Sequence, residues 1–434
     1  LFKGISELPP AHYMIIEEEK IIITRYWNLE FKIDHDHKSK YFEENIQELL
    51  EKSVKRHLIG DVPFGAYVSG GLDSSSIASI ANTNLPNGEL LGFTGKFSQY
   101  GNLFDESSYA QLVAKKNNFK LLTYDITSQD FINSIEKVIY HLDSPVAGPG
   151  SFSQYMISKF ASQHRKVVIG GQGGDEIFGG YTRYLIAYFE QCIKAAINGT
   201  SKNGNFVVTY ESIIPNLVHL KQYQPMLKSF WKEGLFDDMY ERYFRLVNRA
   251  PSLGDEINWD YMEDYSAKKE YKKVFFGNNI DRGSYFDLMT NYDFRTLLPA
   301  LLQVEDRMSM AHGLESRVPL LDVDLVEFSS TIPADIKFKN GNPKHIFKKA
   351  LNKYLPLEII DRKDKMGFPT PINQWFQSDL REFVLDTFNS TSAQQRDYIN
   401  SKKIVDQIDS EGVYSRKVWG LLSLELWHKK FNIS

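Results

Sequence analysis

The feature that most constrains this chain is a glycine-containing loop, Ser69–Ser74, which lies between two apolar segments. Residues 63–68, before the loop, predict a buried β-strand, and residues 74–82, after it, predict a helix. Glycines allow the backbone to approach a ligand closely and to adopt positive φ. The unpaired N–H groups at the start of a helix also point toward such a ligand. The sequence therefore predicts an anion-binding pocket at this loop, with an ordinary Gly-Ser turn as the alternative.

Asp73 is the unusual member of the loop, because a carboxylate beside a bound phosphate would repel it. Its presence is explained if it holds Mg²⁺, which takes oxygen ligands and usually shares them with phosphates. Two other glycine motifs are excluded. The pair Gly95-Lys96 lacks the upstream glycine of a Walker A loop, and Tyr67 stands where a nucleophile elbow requires glycine.

Composition narrows the class of protein. The 434 residues allow two or three domains, and 42% hydrophobic with 24% charged residues is ordinary for a globular chain. The formal net charge of −4, without a sustained basic block, gives no indication of a nucleic-acid or membrane partner. No apolar run approaches the roughly 20 residues of a membrane-spanning helix. The single cysteine, Cys192, excludes a disulfide framework and is typical of the cytoplasm, where we expect this protein.

Short apolar strands alternate with helices up to about residue 185, and this alternation predicts an α/β fold with a doubly wound parallel sheet. Beyond that point the pattern is mostly helical and rich in aromatic residues. The predicted strands are 63–68, 90–94, 120–125 and 166–169, and the predicted helices are 39–58, 74–82, 106–117 and 128–141. Ligands bind beyond the carboxyl ends of such strands, where a second glycine loop, residues 170–176, also lies.

The Ser69–Ser74 loop resembles the pyrophosphate-binding loop of the ATP-pyrophosphatase superfamily, and four further segments narrow the resemblance to the asparagine synthetase family. These segments are residues 171–181, 306–311, 314–322 and 363–369, in the family's order. The resemblance covers nearly the whole chain. It implies an α/β fold with a doubly wound parallel sheet of the ATP-pyrophosphatase (adenine nucleotide alpha hydrolase-like) type and a helical C-terminal half.

The resemblance also implies a domain organisation. Residues 1–30 resemble the last strands of a class II glutaminase domain, residues 31–38 form a polar linker, and residues 39–434 form the asparagine synthetase domain. In the family the first residue of the glutaminase domain is a catalytic cysteine, whereas this sequence begins with Leu1. We therefore expect the chain to use ammonia, supplied by a glutaminase domain outside this sequence, and not glutamine. A homodimer is compatible with these features.

The reaction implied by the resemblance is ATP-dependent amide formation, with ATP and Mg²⁺ as cofactors. A carboxylate is adenylated with release of pyrophosphate, and ammonia then displaces AMP. The expected reaction converts aspartate to asparagine, which would make the chain a carbon–nitrogen ligase of the glutamine-hydrolysing asparagine synthase type in amino-acid biosynthesis. Two alternatives remain open: amidation of another carboxylate, such as a surface sugar or a specialised peptide, and a nucleotide-binding relative that has lost catalysis.

Four side chains carry the implied chemistry. By resemblance Asp73 and Asp175 are the Mg²⁺ ligands, although Asp175 could instead cap a helix N-terminus. Lys365 is expected to face the phosphates, with a solvent-facing lysine as the alternative. Arg317 is expected to shape the acceptor side, with a structural pair to Glu315 as the alternative. The residues expected to contact the nucleotide are Val68, Ser69, Gly70, Gly71, Asp73, Ser74, Gly95, Gly171 and Gly173.

Gln172 is where this chain departs from many asparagine synthetases, which carry a glutamate in the second glycine loop. That glutamate is a candidate base for the attack of ammonia. Glutamine can form hydrogen bonds, but it cannot take a proton at pH 7. Relatives with glutamine here include enzymes that amidate other carboxylates. We place Gln172 with Lys365 and Arg317 as the expected catalytic residues, and the acceptor stays open.

Overall fold

The computed structural model describes residues 2–18, 20–86, 89–146, 148–198, 224–281, 284–363, 367 and 369–433. Its seven strands are β1 His12–Glu17, β2 Lys20–Arg25, β3 Phe64–Tyr67, β4 Leu91–Lys96, β5 Lys120–Asp125, β6 Val167–Ile169 and β7 Glu315–Arg317 among these residues. The first two form an antiparallel hairpin, and the other five form one parallel sheet in the order β5-β4-β3-β6-β7. This arrangement confirms the predicted α/β fold.

Helices make up most of the remainder. The helices before residue 200 are α1 Ser39–His57, α2 Leu72–Asn84, α3 Ser107–Asn117, α4 Ser128–Leu142, α5 Gly150–Ser162, α6 Gly174–Phe178 and α7 Thr182–Ile197. The later described helices are α8 Gln224–Trp231, α9 Met239–Val247, α10 Ala267–Phe275, α11 Tyr285–Met310, α12 Val323–Ser329, α13 Ala334–Lys337, α14 His345–Ala350, α15 Leu357–Ile360, α16 Ile372–Phe376, α17 Arg381–Asn389, α18 Thr391–Gln394, α19 Ser401–Gln407 and α20 Lys417–Phe431. The C-terminal half is therefore helical, as the sequence predicts.

The order of the strands creates a crevice. Successive strands run from β3 outward to β5 on one side, whereas β6 and β7 lie on the other side of β3. The direction of the chain across the sheet thus reverses between β3 and β6. In open α/β sheets such a reversal leaves a binding crevice at the carboxyl ends of the strands. The two loops that border this crevice are residues 68–71 and residues 170–173.

The sheet is buried on both faces. On one face Val68 and Ile169 belong to a core shared with α1, α2 and α3. On the other face Phe93 and Val168 pack with Ile157 of α5. Neighbouring residues of β6 thus point to opposite sides, as the pleat requires, and the apolar character of both explains the continuous apolar run in the sequence.

Two elements near the sheet escaped sequence prediction. Strand β7 contains only Glu315, Ser316 and Arg317, so it has no apolar pattern, and it lies at the edge of the sheet beside β6. Helix α5 is buried around most of its circumference, so that its apolar residues and serines follow no single stripe. A periodicity argument therefore places neither element beside the sheet.

The hairpin of β1 and β2 pairs with no strand of the main sheet in the described structure. Its apolar side chains are largely exposed: Tyr13, Met14, Ile15, Ile16, Ile21, Ile22 and Ile23. The assignment of residues 1–30 to a glutaminase domain stays a prediction. Within the described residues, we find no helix that combines the length and the apolar character needed to cross a lipid bilayer.

Candidate functional site

The two glycine loops lie directly against each other at the reversal point of the sheet. A Cβ atom on Gly171 would collide with the backbone N of Ser74, and one on Gly174 would lie 2.5 Å from Oδ1 of Asp73. Contacts this close require glycine. Two motifs that are separate in the sequence therefore form one continuous surface.

The first loop is held in shape by its own hydroxyl groups. The backbone N–H of Ser69 donates to Oγ of Ser74 at 3.1 Å, and the two serine hydroxyls lie 2.9 Å apart. The N–H of Gly71 donates to Oγ of Ser69 at 3.3 Å. Gly70 between them has a φ of 71°, a conformation that favours glycine. The loop is thus preorganised at the N-terminus of α2, and the first N–H groups of a helix have no acceptor within the helix and can bind an anion.

Arg362, from the C-terminal half, stabilises the first glycine loop through a hydrogen bond to its backbone. Arg362 donates from Nη1 to the carbonyl oxygen of Gly70 at 3.2 Å, and its guanidinium lies 3.8 Å from the ring centre of Tyr109. It also forms an ion pair with Glu106 at the start of α3. Arg362 stands three positions before Lys365. Lys365 itself lies outside the described residues, so its expected contact with phosphates stays a prediction.

The two predicted metal ligands meet at a third residue, Lys344. Its Nζ lies 2.6 and 2.8 Å from the carboxylate oxygens of Asp73 and 2.5 Å from Oδ1 of Asp175. Asp175 lies in the first turn of α6, and Gly173 occupies the N-cap position. Asp175 is therefore not the N-cap residue of this helix. The structure therefore brings Asp73 and Asp175 together, one from each glycine loop.

Sequence reasoning missed Lys344. The residue precedes α14 with a φ of 55°, a left-handed conformation that is uncommon outside glycine. Its side chain is only 6% exposed. Nothing in the local sequence around Pro343-Lys344 indicates a buried lysine, because the partners of Lys344 are distant in sequence. Asp73, for example, lies 271 positions before it.

Two aspartates and a second lysine determine the charge state of Lys344 and its surroundings. Burial opposes protonation of Lys344, but Asp175 and Asp73 outweigh it and raise the pKa of the lysine. One turn further along α14, burial and the neighbouring charge of Lys344 lower the pKa of Lys348 to about 8. Lys363 adds to this effect. Lys348 and Lys363 thus add positive charge near the pair of aspartates that Lys344 contacts, and positive charge attracts anions such as phosphates.

The residues present fit a magnesium–triphosphate group. Across the described part of the chain, no three His, Cys, Asp or Glu side chains cluster as a metal site. Two carboxylates suffice for Mg²⁺, which commonly takes its remaining ligands from phosphates and water. Asp73 and Asp175 supply these carboxylates. Lys344, which contacts both, shows that a positive charge is accommodated between them.

Gln172, in the second loop, lies near a buried acid that sequence reasoning also missed, Glu305 of α11. Glu305 is 4% exposed and accepts a hydrogen bond from Oγ of Ser316 at 2.5 Å. A Cβ on Gly170 would lie 2.5 Å from Oε1 of this carboxylate. Burial raises the pKa of Glu305, and Ser316 and Gln172 oppose that shift.

Arg317 does not direct its side chain into the crevice. Its carbonyl oxygen accepts from the N–H of Gly170 at 2.8 Å, but its guanidinium turns away. Nη1 donates to the carbonyl oxygens of His57 and Ile59 at 2.7 and 2.9 Å, and Nε donates to Glu315 at 2.7 Å. The structure thus contains the Glu–Arg pair that the sequence left open as the alternative.

Val68 and Gly95 occupy backbone positions near the loops. Val68 donates its N–H to the carbonyl oxygen of Phe93 at 2.9 Å and is buried in the core, so only its backbone can face a ligand. Gly95 pairs with Tyr124 near the end of β4, which extends two residues further than predicted. The expected backbone contacts of Val68 and Gly95 to a nucleotide stay a prediction.

Beyond the described geometry, comparison with known proteins identifies the family. The asparagine synthase family model matches residues 45–429. The glutamine-hydrolyzing asparagine synthetase 1 of Bacillus subtilis strain 168 is 28% identical over 429 residues, and a putative glutamine-hydrolyzing asparagine synthetase of Mycobacterium tuberculosis H37Rv is 27% identical over 453 residues. A relative named amidase chyE, from Penicillium rubens, is 24% identical over 415 residues.

These alignments cover 97%, 99% and 84% of this chain, respectively. They cover 64%, 65% and 59% of the relatives, so the chain spans less than two thirds of the length of these proteins. The family match nevertheless extends from α1 to α20 and includes both glycine loops. A match of this extent shows that the chain belongs to the asparagine synthase family.

Proposed function

We propose that this chain forms an amide from a carboxylate, ATP and ammonia through an acyl-adenylate, and that aspartate, converted to asparagine, is the first acceptor to test. The observation that carries the proposal is the convergence of Asp73 and Asp175 on Lys344, at the contact between the two glycine loops. Membership of the asparagine synthase family supports the use of ATP for amidation.

In the first step, an acceptor carboxylate oxygen attacks the α-phosphorus of ATP, and the bond between the α-phosphorus and the bridging oxygen breaks. Pyrophosphate leaves with the electron pair of that bond. We expect the N–H groups at the N-terminus of α2 and the ammonium groups of Lys344 and Lys348 to bind the negative charge that develops. Mg²⁺, when held by Asp73 and Asp175, neutralises charge on the phosphates.

In the second step, the nitrogen lone pair of ammonia attacks the acyl carbon, and the carbon–oxygen bond to AMP breaks. AMP leaves with that electron pair, and the nitrogen loses one proton to solvent. Gln172 cannot take this proton, but its amide oxygen can accept a hydrogen bond from the nitrogen. We assign Lys365 to the charge on the phosphates in both steps, as the family resemblance implies.

A second candidate function is amidation of a different carboxylate. It is favoured by Gln172, which replaces the glutamate of many asparagine synthetases, and one relative is named an amidase.

We propose ammonia as the nitrogen source for residues 39–434. The two bacterial relatives are named glutamine-hydrolyzing and are longer than this chain, which supports a glutaminase domain as the source of that ammonia.

The experiment is a screen for pyrophosphate release with ATP, Mg²⁺ and ammonium chloride. The acceptors are aspartate, glutamate, a hexuronic acid and a short peptide with a free carboxylate. Aspartate-dependent release of pyrophosphate, with asparagine detected by chromatography in equal amount, would establish the first proposal. Release with another acceptor alone would favour the second function. Absence of release with every acceptor, from folded protein that retains its unfolding transition, would contradict both.

A further inference from the structure

The peptide unit between Gly70 and Gly71, in the first glycine loop, is held at both of its ends. Its carbonyl oxygen, on Gly70, accepts a hydrogen bond from Nη1 of Arg362 at 3.2 Å. Its N–H group, on Gly71, donates to Oγ of Ser69 at 3.3 Å. In a trans peptide these two groups point in opposite directions, so their partners lie on opposite sides of the peptide. Together the two hydrogen bonds determine which way this peptide plane faces.

The N–H group of this peptide points to the side where α2 begins. The hydroxyl oxygen of Ser69, which accepts from it, lies 2.9 Å from Oγ of Ser74 in the first turn of α2. An anion bound by the loop is expected at this helix N-terminus. Arg362 lies on the other side, where its guanidinium is 3.8 Å from the ring centre of Tyr109 in α3. The carbonyl of Gly70 is therefore directed away from the expected position of the anion.

Two consecutive glycines make this peptide plane easy to reverse. A reversal rotates ψ of Gly70 and φ of Gly71 and leaves the neighbouring residues in place. Gly71 has a φ of −85°, and the reversal would give it a positive φ, which glycine adopts readily and other residues rarely. The reversed peptide would place a carbonyl oxygen beside the hydroxyl of Ser69, where its partial negative charge would repel a phosphate.

Arg362 is itself held in place. Its side chain is only 4% exposed, and it forms an ion pair with Glu106 through Nη2 while Tyr109 covers the guanidinium plane. The planar fork of an arginine can bind a carboxylate and a carbonyl oxygen through separate nitrogens, whereas a lysine offers one ammonium group. Because Glu106 compensates the charge of Arg362, the pair adds little net charge to the loop.

We propose that Arg362 is a positioning residue that keeps the Gly70 carbonyl turned away from the phosphates of ATP. The inference rests on the proposed function, because it requires that the first glycine loop binds the phosphates that leave as pyrophosphate. Arg362 acts only through the peptide between Gly70 and Gly71 and does not touch the nucleotide. Its hydrogen bond determines that the loop meets the phosphates without an opposing carbonyl oxygen.

The test is calorimetric binding of Mg–ATP, Mg–pyrophosphate and AMP to the whole chain, which needs no acceptor. Arg362→Met should weaken the binding of ATP and of pyrophosphate about tenfold, the effect of one lost hydrogen bond from a charged group. The binding of AMP should change less than about twofold, because AMP lacks the two phosphates that form pyrophosphate. A general loss of structure would instead weaken all three ligands together.

Lys116→Met is the matched control. Nζ of Lys116 in α3 donates to the carbonyl oxygen of Leu355 at 2.5 Å, so it joins the same two parts of the chain as Arg362 but does not contact the loop. This variant should lose thermal stability and keep its affinity for all three ligands.

Glu106→Gln separates orientation from charge. The substitution leaves Arg362 charged and removes its ionic partner. If the charge of Arg362 attracted the phosphates directly, ATP would bind more tightly to this variant. If Arg362 acts by orienting the peptide, the loss of its anchor should instead weaken ATP binding about threefold. The two explanations therefore predict opposite signs.

Gly71→Ala tests the reversal of the peptide. Alanine accepts the present φ of residue 71 but rarely adopts the positive φ of the reversed peptide. In this background, Arg362→Met should weaken ATP binding less than about threefold, in place of about tenfold. The effect of Gly71→Ala alone cancels in this comparison, because it is present in both members of the pair.

Four outcomes overturn the positioning role. They are native affinity for ATP and pyrophosphate in folded Arg362→Met, an equal loss of AMP affinity in that variant, unchanged or tighter ATP binding in Glu106→Gln, and an effect of Arg362→Met that Gly71→Ala does not reduce. If Arg362→Met does not fold, the sign of the Glu106→Gln effect decides.

The proposed function fails separately. A native chain that binds ATP and pyrophosphate but amidates no acceptor refutes that function, and the binding data still decide the role of Arg362. A native chain that binds neither ligand overturns both proposals.

Discussion

At the residue scale, the two aspartates carry the largest expected effect. Asp73→Asn or Asp175→Asn should lower pyrophosphate release about 100-fold or more, because a lost metal ligand in a phosphate site removes several kcal/mol of transition-state stabilisation. Asp324→Asn is a matched control, since Asp324 pairs with Arg56 on the surface. Pyrophosphate release and thermal unfolding are measured together. Native activity in either folded variant would contradict the assignment of Asp73 and Asp175 as metal ligands.

We expect Lys348 to make nucleotide binding depend on pH. Its pKa, lowered to about 8 by burial and by Lys344, means that the side chain loses its charge as the pH rises through that value. The KM for ATP should therefore rise between pH 7 and pH 9.5. Lys348→Arg should flatten this rise, because arginine stays protonated throughout the range. An equally steep rise in Lys348→Arg would assign the pH dependence to another group.

At the element scale, the five-residue helix α6 contains an acid that weakens the fold at high pH. Burial, and then the charge of Asp175, raise the pKa of Glu176 to about 7. Tyr181 donates its hydroxyl to this carboxylate at 2.5 Å. The unfolded chain releases the Glu176 proton at lower pH than the folded chain does, so this residue lowers the free energy of unfolding as the pH rises from about 4.5 to about 7.

Glu176→Gln should therefore be more stable than the native chain at pH 8, by about 2 kcal/mol, and the difference should shrink toward pH 5. The glutamine oxygen can still accept the hydrogen bond from Tyr181. Denaturant unfolding at the two pH values measures the effect. A difference of the same size at pH 5 and pH 8 would show that the titration of Glu176 is not its cause.

The edge strand β7 joins the sheet to the end of α1 through Arg317. Because the guanidinium donates to the carbonyls of His57 and Ile59, Arg317→Met should lower the free energy of unfolding by about 1–3 kcal/mol. The KM for the acceptor should change less than about twofold, since the lost bonds lie outside the crevice. A large rise in the KM for the acceptor, with an unchanged free energy of unfolding, would instead support the role of Arg317 in binding the acceptor.

These elements also show what a sequence can predict. The loops after β3 and β6 were predictable, because each combines a short apolar strand, glycines and a helix start within a dozen residues. Strand β7 was not, because three polar residues form a strand only when β6 is already beside them. Lys344 and Glu305 were missed for the same reason. Their partners are distant in sequence, and buried charge has no local signature.

At the scale of the whole molecule, the site is built from both ends of the chain. Asp73 and Lys344 are 271 positions apart, and Arg362 reaches back 292 positions to Gly70. The N-terminal half supplies four strands of the sheet and both glycine loops, whereas the C-terminal half supplies β7, the lysines and Glu305. The motifs alone predict the fold, and the family match confirms it. The contacts that join the two halves are seen only in the structure.

The separation between Asp73 and Lys344 has a consequence for how the chain acquires its nucleotide site. Contacts across 271 positions close a very long loop, and such closures come late in folding because their entropy cost precedes their reward. A partly folded chain in which β3 to β6 have formed therefore still lacks the site. A nucleotide can bind only the fully assembled state and stabilises it by mass action. We therefore expect ATP to bind only chains that have completed folding, and to shift newly made chains toward that state.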